Sequence, residues 1–421
     1  MTKITLQSDL VQQTLSSVHA HGIGILTVTN DRLQGRMIDI PAAPVEGAVH
    51  FGNCSYLGLE LDPRLKAGAI DAVQRFGTQF SSSRAYTGIA LYEELESCLE
   101  KNFGLPVLAT ATTSLGHIAA IPVLVRPEDA VLLDHQVHNS VQNAVQMVKA
   151  NGTHVEQVRH NNMQRLEARL QILCSLHRHV WYMADGVYSM FGDIAPMKQI
   201  IELLNQYENF HCYIDDAHGM GWAGESGCGQ VLSEVDFHPR MILAGSMAKG
   251  FGSSGGFLVC PDAETKQKIR FGGSTMIFSG PITPAVLGAS IASAKIMQTD
   301  ELMTRQIALQ ERIQYFIRTA QGLGLPLVSD ARTPIFFIGV GIPNMGYKIC
   351  QRLIKAGFYT NIAVYPSVPY KNTGLRITLT LHHTLEDIQN LLCQVAKFLE
   401  EEELLQQVQR KDIFSAFGMK F

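Results

Sequence analysis

Cys212-Tyr-Ile-Asp-Asp-Ala-His218 begins as an apolar run and ends in three ionisable side chains. The same change recurs along the chain. Val180–Ala184 gives way to Asp185-Gly-Val-Tyr-Ser189, and Met241–Ala244 to Gly245-Ser246-Met-Ala-Lys249. Upstream, Val131–Leu133 leads into Asp134-His-Gln-Val-His138, and Val107–Thr110 into Ala111-Thr-Thr-Ser114-Leu-Gly116. Each run has strand length, is rich in Val, Ile and Leu, and is separated from the next by a helical pattern. Continuous apolar strands spaced by helices predict a mostly parallel sheet covered on both faces, hence an α/β fold. Phe257–Cys260 reads as a further strand.

In such sheets ligands lie beyond the carboxyl ends of the strands. Five successive strands delivering polar groups to one edge therefore predict a site, because such groups are costly to bury unpaired. Their chemistry is coherent. The Lys249 amine can form a Schiff base with an aldehyde. Asp215 can keep a pyridine nitrogen protonated, and His218 can reach a ring hydroxyl. Thr112, Thr113 and Ser114 open a helix whose N–H groups suit a phosphate, with Ser246 adding a hydroxyl. His138 can stack over a ring. The cofactor this set describes is pyridoxal phosphate (PLP). Taken singly, each residue has a structural explanation: an exposed lysine, a helix cap, a satisfied histidine.

Composition narrows the class. With 421 residues, 46% of them hydrophobic, the chain can bury a large core. Net charge is −4 with no basic stripe, which argues against nucleic acid. No stretch approaches the ~20 apolar residues of a membrane span. Eight cysteines, none in a Cys-x-x-Cys pair, and an N-terminus without a signal core point to the cytoplasm. The Glu400–Glu403 run is expected on the solvated face of a C-terminal helix. Gly250-Phe-Gly252-Ser-Ser-Gly255 matches a dinucleotide fingerprint, but a strand follows where a helix should.

The expected organisation is an N-terminal arm over 1–48, a large PLP-binding domain over 49–285, and a smaller α+β domain over 286–421. A helix from about Pro284 is expected to join the two larger parts. Asp62-Pro63, Asn161-Asn162 and Thr384-Leu-Glu-Asp387 read as helix starts.

These residues resemble a known family. Ser246-Met-Ala-Lys249-Gly-Phe-Gly-Ser-Ser-Gly-Gly256 is similar to the PLP-lysine motif of the α-oxoamine synthases: glycine C-acetyltransferase, 8-amino-7-oxononanoate synthase, 5-aminolevulinate synthase and serine palmitoyltransferase. Further matches are Asp185-Gly-Val-Tyr-Ser-Met190, Ile214-Asp-Asp-Ala-His218, Gly224-Glu-Ser-Gly-Cys-Gly229, Ile277-Phe-Ser279, Tyr56-Leu-Gly-Leu59 and Leu375-Arg376-Ile-Thr. The resemblance spans about residues 50 to 390, nearest to the glycine C-acetyltransferase branch. It implies a type I PLP-dependent transferase fold and a homodimer with shared active sites. It also implies an acyltransferase that condenses an α-amino acid with an acyl-CoA or other acyl thioester. By resemblance Lys249 carries the cofactor, Asp215 meets its ring nitrogen, His218 its phenolic oxygen, and His138 stacks on the ring. Ser189 and Arg376, beside Ser55, would hold the amino-acid carboxylate, and Ser279 would serve the neighbouring subunit's phosphate.

The chain departs from the family pattern at Cys54, where asparagine is usual, and at Ala111-Thr112-Thr113, where an aromatic is missing. Tyr92 stands for a histidine, and Gly280 for a residue often polar. Other PLP reactions on the same fold (aldolase, aminotransferase, decarboxylase) therefore stay open. So do a non-catalytic PLP regulator and a metal hydrolase built on Asp215, Asp216, His218, His135 and His138.

Overall fold

A computed structural model describes residues 7–421. The chain divides into two units. One comprises Ser55–Ser189 and Ile194–Ile307. The other comprises the chain up to Cys54, Met190–Asp193 and Ala308–Phe421.

The first unit is built on a seven-stranded sheet. Its strands are β1 (Val107–Thr110), β2 (Ala130–Asp134), β3 (His154–Val158), β4 (Val180–Asp185), β5 (Phe210–Asp215), β6 (Met241–Ser246) and β7 (Gly256–Val259). Their order across the sheet is β1-β7-β6-β5-β4-β2-β3. Strands β2 to β6 are mutually parallel, and only β7 is reversed against both of its neighbours. All of β4 and β6 is buried, which is why they read as unbroken apolar runs. The edge strand β3, His-Val-Glu-Gln-Val, is partly exposed and polar, and the apolar pattern did not reveal it.

Because β7 is reversed, Gly256 at its start lies between Thr110 and Ser246, the last residues of β1 and β6. A Cβ at Gly256 would fall 2.4 Å from the Thr113 nitrogen. Glycine here lets helix Thr113–Leu124 start hard against the sheet edge.

The boundary expected near residue 285 moves. Helix Pro284–Ile296 belongs to the sheet unit, and the division falls within helix Asp300–Gly322, after Ile307. The cause is a close backbone crossing with helix Pro63–Phe76. A Cβ on Gly288 would sit 2.1 Å from the Gly68 carbonyl oxygen and 2.7 Å from Ala72 Cβ. Gly288→Ala is expected to lower unfolding free energy by about 1–3 kcal/mol, measured by urea denaturation. A wild-type midpoint in that variant would contradict the crossing.

The second unit holds a three-stranded antiparallel sheet, with Thr373–Thr378 between Ile335–Gly341 and Asn361–Ala363. A smaller sheet joins Met37–Ile38, Ala48–His50 and Phe358–Tyr359. Helix Leu385–Gln406 opens with a complete capping box between Thr384 and Asp387. Its acidic run is not the solvated face expected. Glu402 is buried, Glu401 pairs with Arg352, and Glu403 receives Arg410. The helix docks against cations from neighbouring segments, which the local sequence did not disclose. The part of the expected arm before Gln7 lies outside the described residues.

His383 in this unit is held as a neutral ring. Its Nδ1 accepts from the Thr380 N–H at 2.9 Å, its Nε2 donates to the His50 carbonyl at 3.1 Å, and it stacks on Phe51. Burial lowers its pKa from 6.5 to about 4. Between these values the unfolded chain binds the extra proton, so this contribution is full above pH 6.5 and is lost as pH falls toward 4. At pH 5 it amounts to about 2 kcal/mol less stability than at pH 7. Urea unfolding at the two pH values should show that drop in the native chain and a smaller one in His383→Gln.

Candidate active site

The carboxyl edge of the sheet collects Asp134, Asp185, Asp215 and Ser246, each the last residue of its strand. Asp185 and Asp215 are direct neighbours on β4 and β5. Two buried carboxyls so placed do not both ionise readily. Their surroundings separate them. Burial pushes the Asp185 carboxyl well up, the Asp215 charge adds to this, and the His138 backbone N–H at 3.0 Å only partly opposes it. Burial also works against the Asp215 charge, but His117, Lys249 and His138 outweigh it and hold the carboxyl below its ordinary value. This neighbouring pair therefore presents one neutral acid and one fixed carboxylate.

Both oxygens of Asp215 are positioned. Oδ1 accepts from the Ala217 N–H at 3.0 Å, and Oδ2 from His117 Nε2 at 3.0 Å. His117 lies wholly buried on helix Thr113–Leu124, and the sequence reading missed it. The available signal was a lone ionisable side chain in an otherwise uncharged helix that opens at the ligand edge.

Lys249 lies half-buried in the turn between β6 and β7, which is closed by the Gly252 N–H donating to the Lys249 carbonyl at 2.8 Å. Its charge acts on Asp215, Asp185 and His138. His138 caps helix Asn139–Ala150, and its Nδ1 bonds Ser140 Oγ at 2.6 Å. The residue is exposed, yet desolvation by the surrounding protein lowers its pKa, with Asp215 opposing and Lys249 reinforcing the effect. His218 is held by Tyr56, whose hydroxyl is 2.7 Å from Nδ1.

At the helix start, Thr112 Oγ1 accepts the Leu115 N–H at 3.1 Å, and Thr113 Oγ1 donates to the Gly245 carbonyl at 3.1 Å. The Thr113 hydroxyl hydrogen is thus committed to the sheet, and the helix N-terminus offers its N–H groups and dipole instead. Ser246 Oγ accepts from the Ala248 N–H. Ser55 donates to the Glu60 carboxylate. Ser189 follows β4 at the end of its segment of this unit, half-buried. Ser279 lies on the stretch after helix Ser274–Ile277, where the Ile282 N–H donates to Tyr92 at 2.6 Å. Tyr92 thus fastens that stretch, while the Arg84 guanidinium stacks 3.8 Å over its ring.

Arg376 lies in the other unit, on strand Thr373–Thr378, with its Nη2 3.7 Å from Cys54 Sγ. The metal set does not converge. Among the described residues no group of three or more His, Cys, Asp or Glu is disposed to hold an ion. Asp216 is turned into the core, where its Oδ2 accepts the Val231 N–H at 3.1 Å.

The donor set fits PLP: a fixed carboxylate for a protonated ring nitrogen, an amine whose charge acts on that carboxylate, two imidazoles after strands of the same sheet and a helix start for phosphate. The strand order, the single reversed strand and the lysine before it define a type I PLP-dependent transferase fold. The chain belongs to the class I and II aminotransferase family, which matches residues 51–395. It is 32% identical to a putative 8-amino-7-oxononanoate synthase of Thermosynechococcus vestitus, over 85% of this chain and 90% of that one. It is 28% identical to a serine palmitoyltransferase of Bacteriovorax stolpii, over 82% and 80% respectively. In three dimensions it matches a serine palmitoyltransferase of S. paucimobilis solved with PLP and myriocin. The TM-score is 0.85 at 21% identity, covering 95% of this chain and all of that one.

Proposed function

We propose that this chain is a PLP-dependent acyltransferase that condenses an α-amino acid with an acyl thioester, such as an acyl-CoA, to give an α-amino ketone. The observation that carries the reading is the buried Asp215 carboxylate, held charged at the sheet edge that also bears Lys249 and His138. The relatives named for 8-amino-7-oxononanoate synthase and serine palmitoyltransferase support the same reaction class.

When bound, PLP supplies an electron sink for the pair left on the substrate's Cα. Lys249 Nζ would anchor the cofactor, and as a free amine it would take the Cα proton. Asp215 would hold the ring-nitrogen proton, and His138 would supply an imidazole to stack on the ring. His218, fixed by Tyr56, donates to the phenolic oxygen. Thr112, Thr113 and Ser246 would hold the phosphate, with the Thr113 contribution coming from its backbone. Ser55 and Ser189 would take the carboxylate, and the Leu375-Arg376 motif supports a carboxylate-binding role for Arg376, which suits a guanidinium.

In the condensation a Cα–H bond breaks, a bond forms from Cα to the thioester carbonyl, and the C–S bond breaks to release the thiol. Loss of carbon dioxide from the same Cα, with return of a proton to it, gives the ketone. The chain works in the cytoplasm as a homodimer, with Ser279 serving the partner's site. Eight unpaired cysteines support that compartment. Among the described residues no helix is long and apolar enough to cross a membrane.

The test is to supply glycine, alanine and serine, each with and without acetyl-CoA, and to follow the cofactor spectrum and free thiol. A spectral response to an amino acid together with thiol release establishes the reaction. Turnover without thioester would replace it with another PLP chemistry.

A further inference from the structure

We propose that His117 is a positioning residue: the chain of hydrogen bonds from Tyr213 through His117 to Asp215 orients the carboxylate that faces the PLP ring nitrogen. The inference rests on the reading of Asp215 given above. The geometry is complete within one unit. Tyr213 Oη lies 2.8 Å from His117 Nδ1, and His117 Nε2 lies 3.0 Å from Asp215 Oδ2. His117 and Tyr213 are both buried, so neither ring can turn to water instead.

The direction of the bonds follows from the end groups. Burial and the Asp215 charge push the Tyr213 phenol well up, so it keeps its hydrogen and donates to Nδ1. The imidazole proton then resides on Nε2 and points at the carboxylate, because the bond made by one ring nitrogen fixes the role of the other. With Ala217 N–H on Oδ1 and His117 on Oδ2, the carboxylate cannot rotate. Each oxygen keeps a lone pair for the cofactor. A second tie keeps the helix itself in place, since Thr113 bonds the Gly245 carbonyl one turn before His117. Neither Tyr213 nor His117 touches the ring in this arrangement. Their effect passes through Asp215 alone.

The titratable groups around the relay are Lys249 after β6, His138 after β2, Asp185 on β4 and, beside Tyr213, Cys260. Removing the imidazole loses a hydrogen bond to a charged acceptor, which corresponds to about tenfold or more in an equilibrium. A positive charge kept at the ring nitrogen disfavours a second one on the same conjugated system. Weakening its counter-charge therefore moves the titration of the visible band to higher pH.

The experiment measures PLP binding to the stripped full-length protein and the pH midpoint of the bound cofactor's visible band. His117→Ala is expected to bind PLP about tenfold more weakly or worse and to raise the midpoint by about one pH unit. Tyr213→Phe removes one oxygen and should move both readouts the same way by less. His117→Gln, whose amide can still donate to Oδ2, should recover most of the affinity. Unchanged affinity and midpoint in folded His117→Ala, or in Tyr213→Phe if the alanine variant does not fold, overturns the relay and leaves the role of Asp215 standing. A native protein that takes up no PLP overturns both.

Discussion

Lys249→Ala is expected to lower turnover by at least about 10⁴-fold, because one side chain both anchors the cofactor and moves the Cα proton. Borohydride reduction followed by peptide mass spectrometry should tag the native chain at Lys249 and leave the variant untagged. The fold should survive, since Lys249 is half-buried in a turn closed by backbone bonds that alanine keeps. The variant carries a second signature. Lys249 is one of the charges that depress the His138 pKa. Its removal should raise the pH at which the His138 ring titrates by NMR. Turnover retained in the variant would remove Lys249 from the chemistry, whatever became of the cofactor.

Asp215→Asn is expected to cost about 10³-fold in kcat, the scale of losing a preorganised charge that acts on the reacting centre. The amide matches the carboxylate in shape, but its single oxygen can accept from only one of the His117 and Ala217 N–H groups, so the variant loses the charge and one hydrogen bond. The loss should fall on kcat more than on KM. Stability should fall as well. Burial opposes the Asp215 charge, but His117, Lys249 and His138 outweigh it, so the folded protein favours the charged form. Neutralising it gives up that net stabilisation, and the melting temperature should drop modestly. A large drop in melting temperature with little change in kcat would make Asp215 a structural residue.

The strand ends were legible because burial on both faces turns β4, β5 and β6 into apolar runs, and the chemistry begins where each run stops. Lys249, Asp215, His218 and His138 were singled out in this way. The edge strand β3 escaped because an exposed edge needs no apolar pattern. His117 escaped for a different reason. Its partners, Tyr213 and Asp215, are about a hundred residues away in sequence, and only the packing of a helix on the sheet makes it more than a buried histidine. The glutamates at 401–403 misled for the same reason. Local charge suggested solvent, while Arg352 and Arg410 from other segments neutralise it. The unit boundary was misplaced because two glycines, Gly68 and Gly288, let their helices cross so closely. Such a contact has no signature in either helix alone.

The eight thiols differ sharply in accessibility. Cys98, Cys212, Cys260 and Cys350 are buried, and burial pushes Cys212 and Cys350 well above the ordinary thiol range. Cys174 and Cys228 are only partly covered, yet burial raises each to about 11. Cys393, on helix Leu385–Gln406, is the exposed one. A maleimide dye at neutral pH would therefore react there first, since thiolates rather than thiols are nucleophilic. The native sequence thus carries its own attachment point for a fluorophore or a surface tether, on a different unit from Lys249.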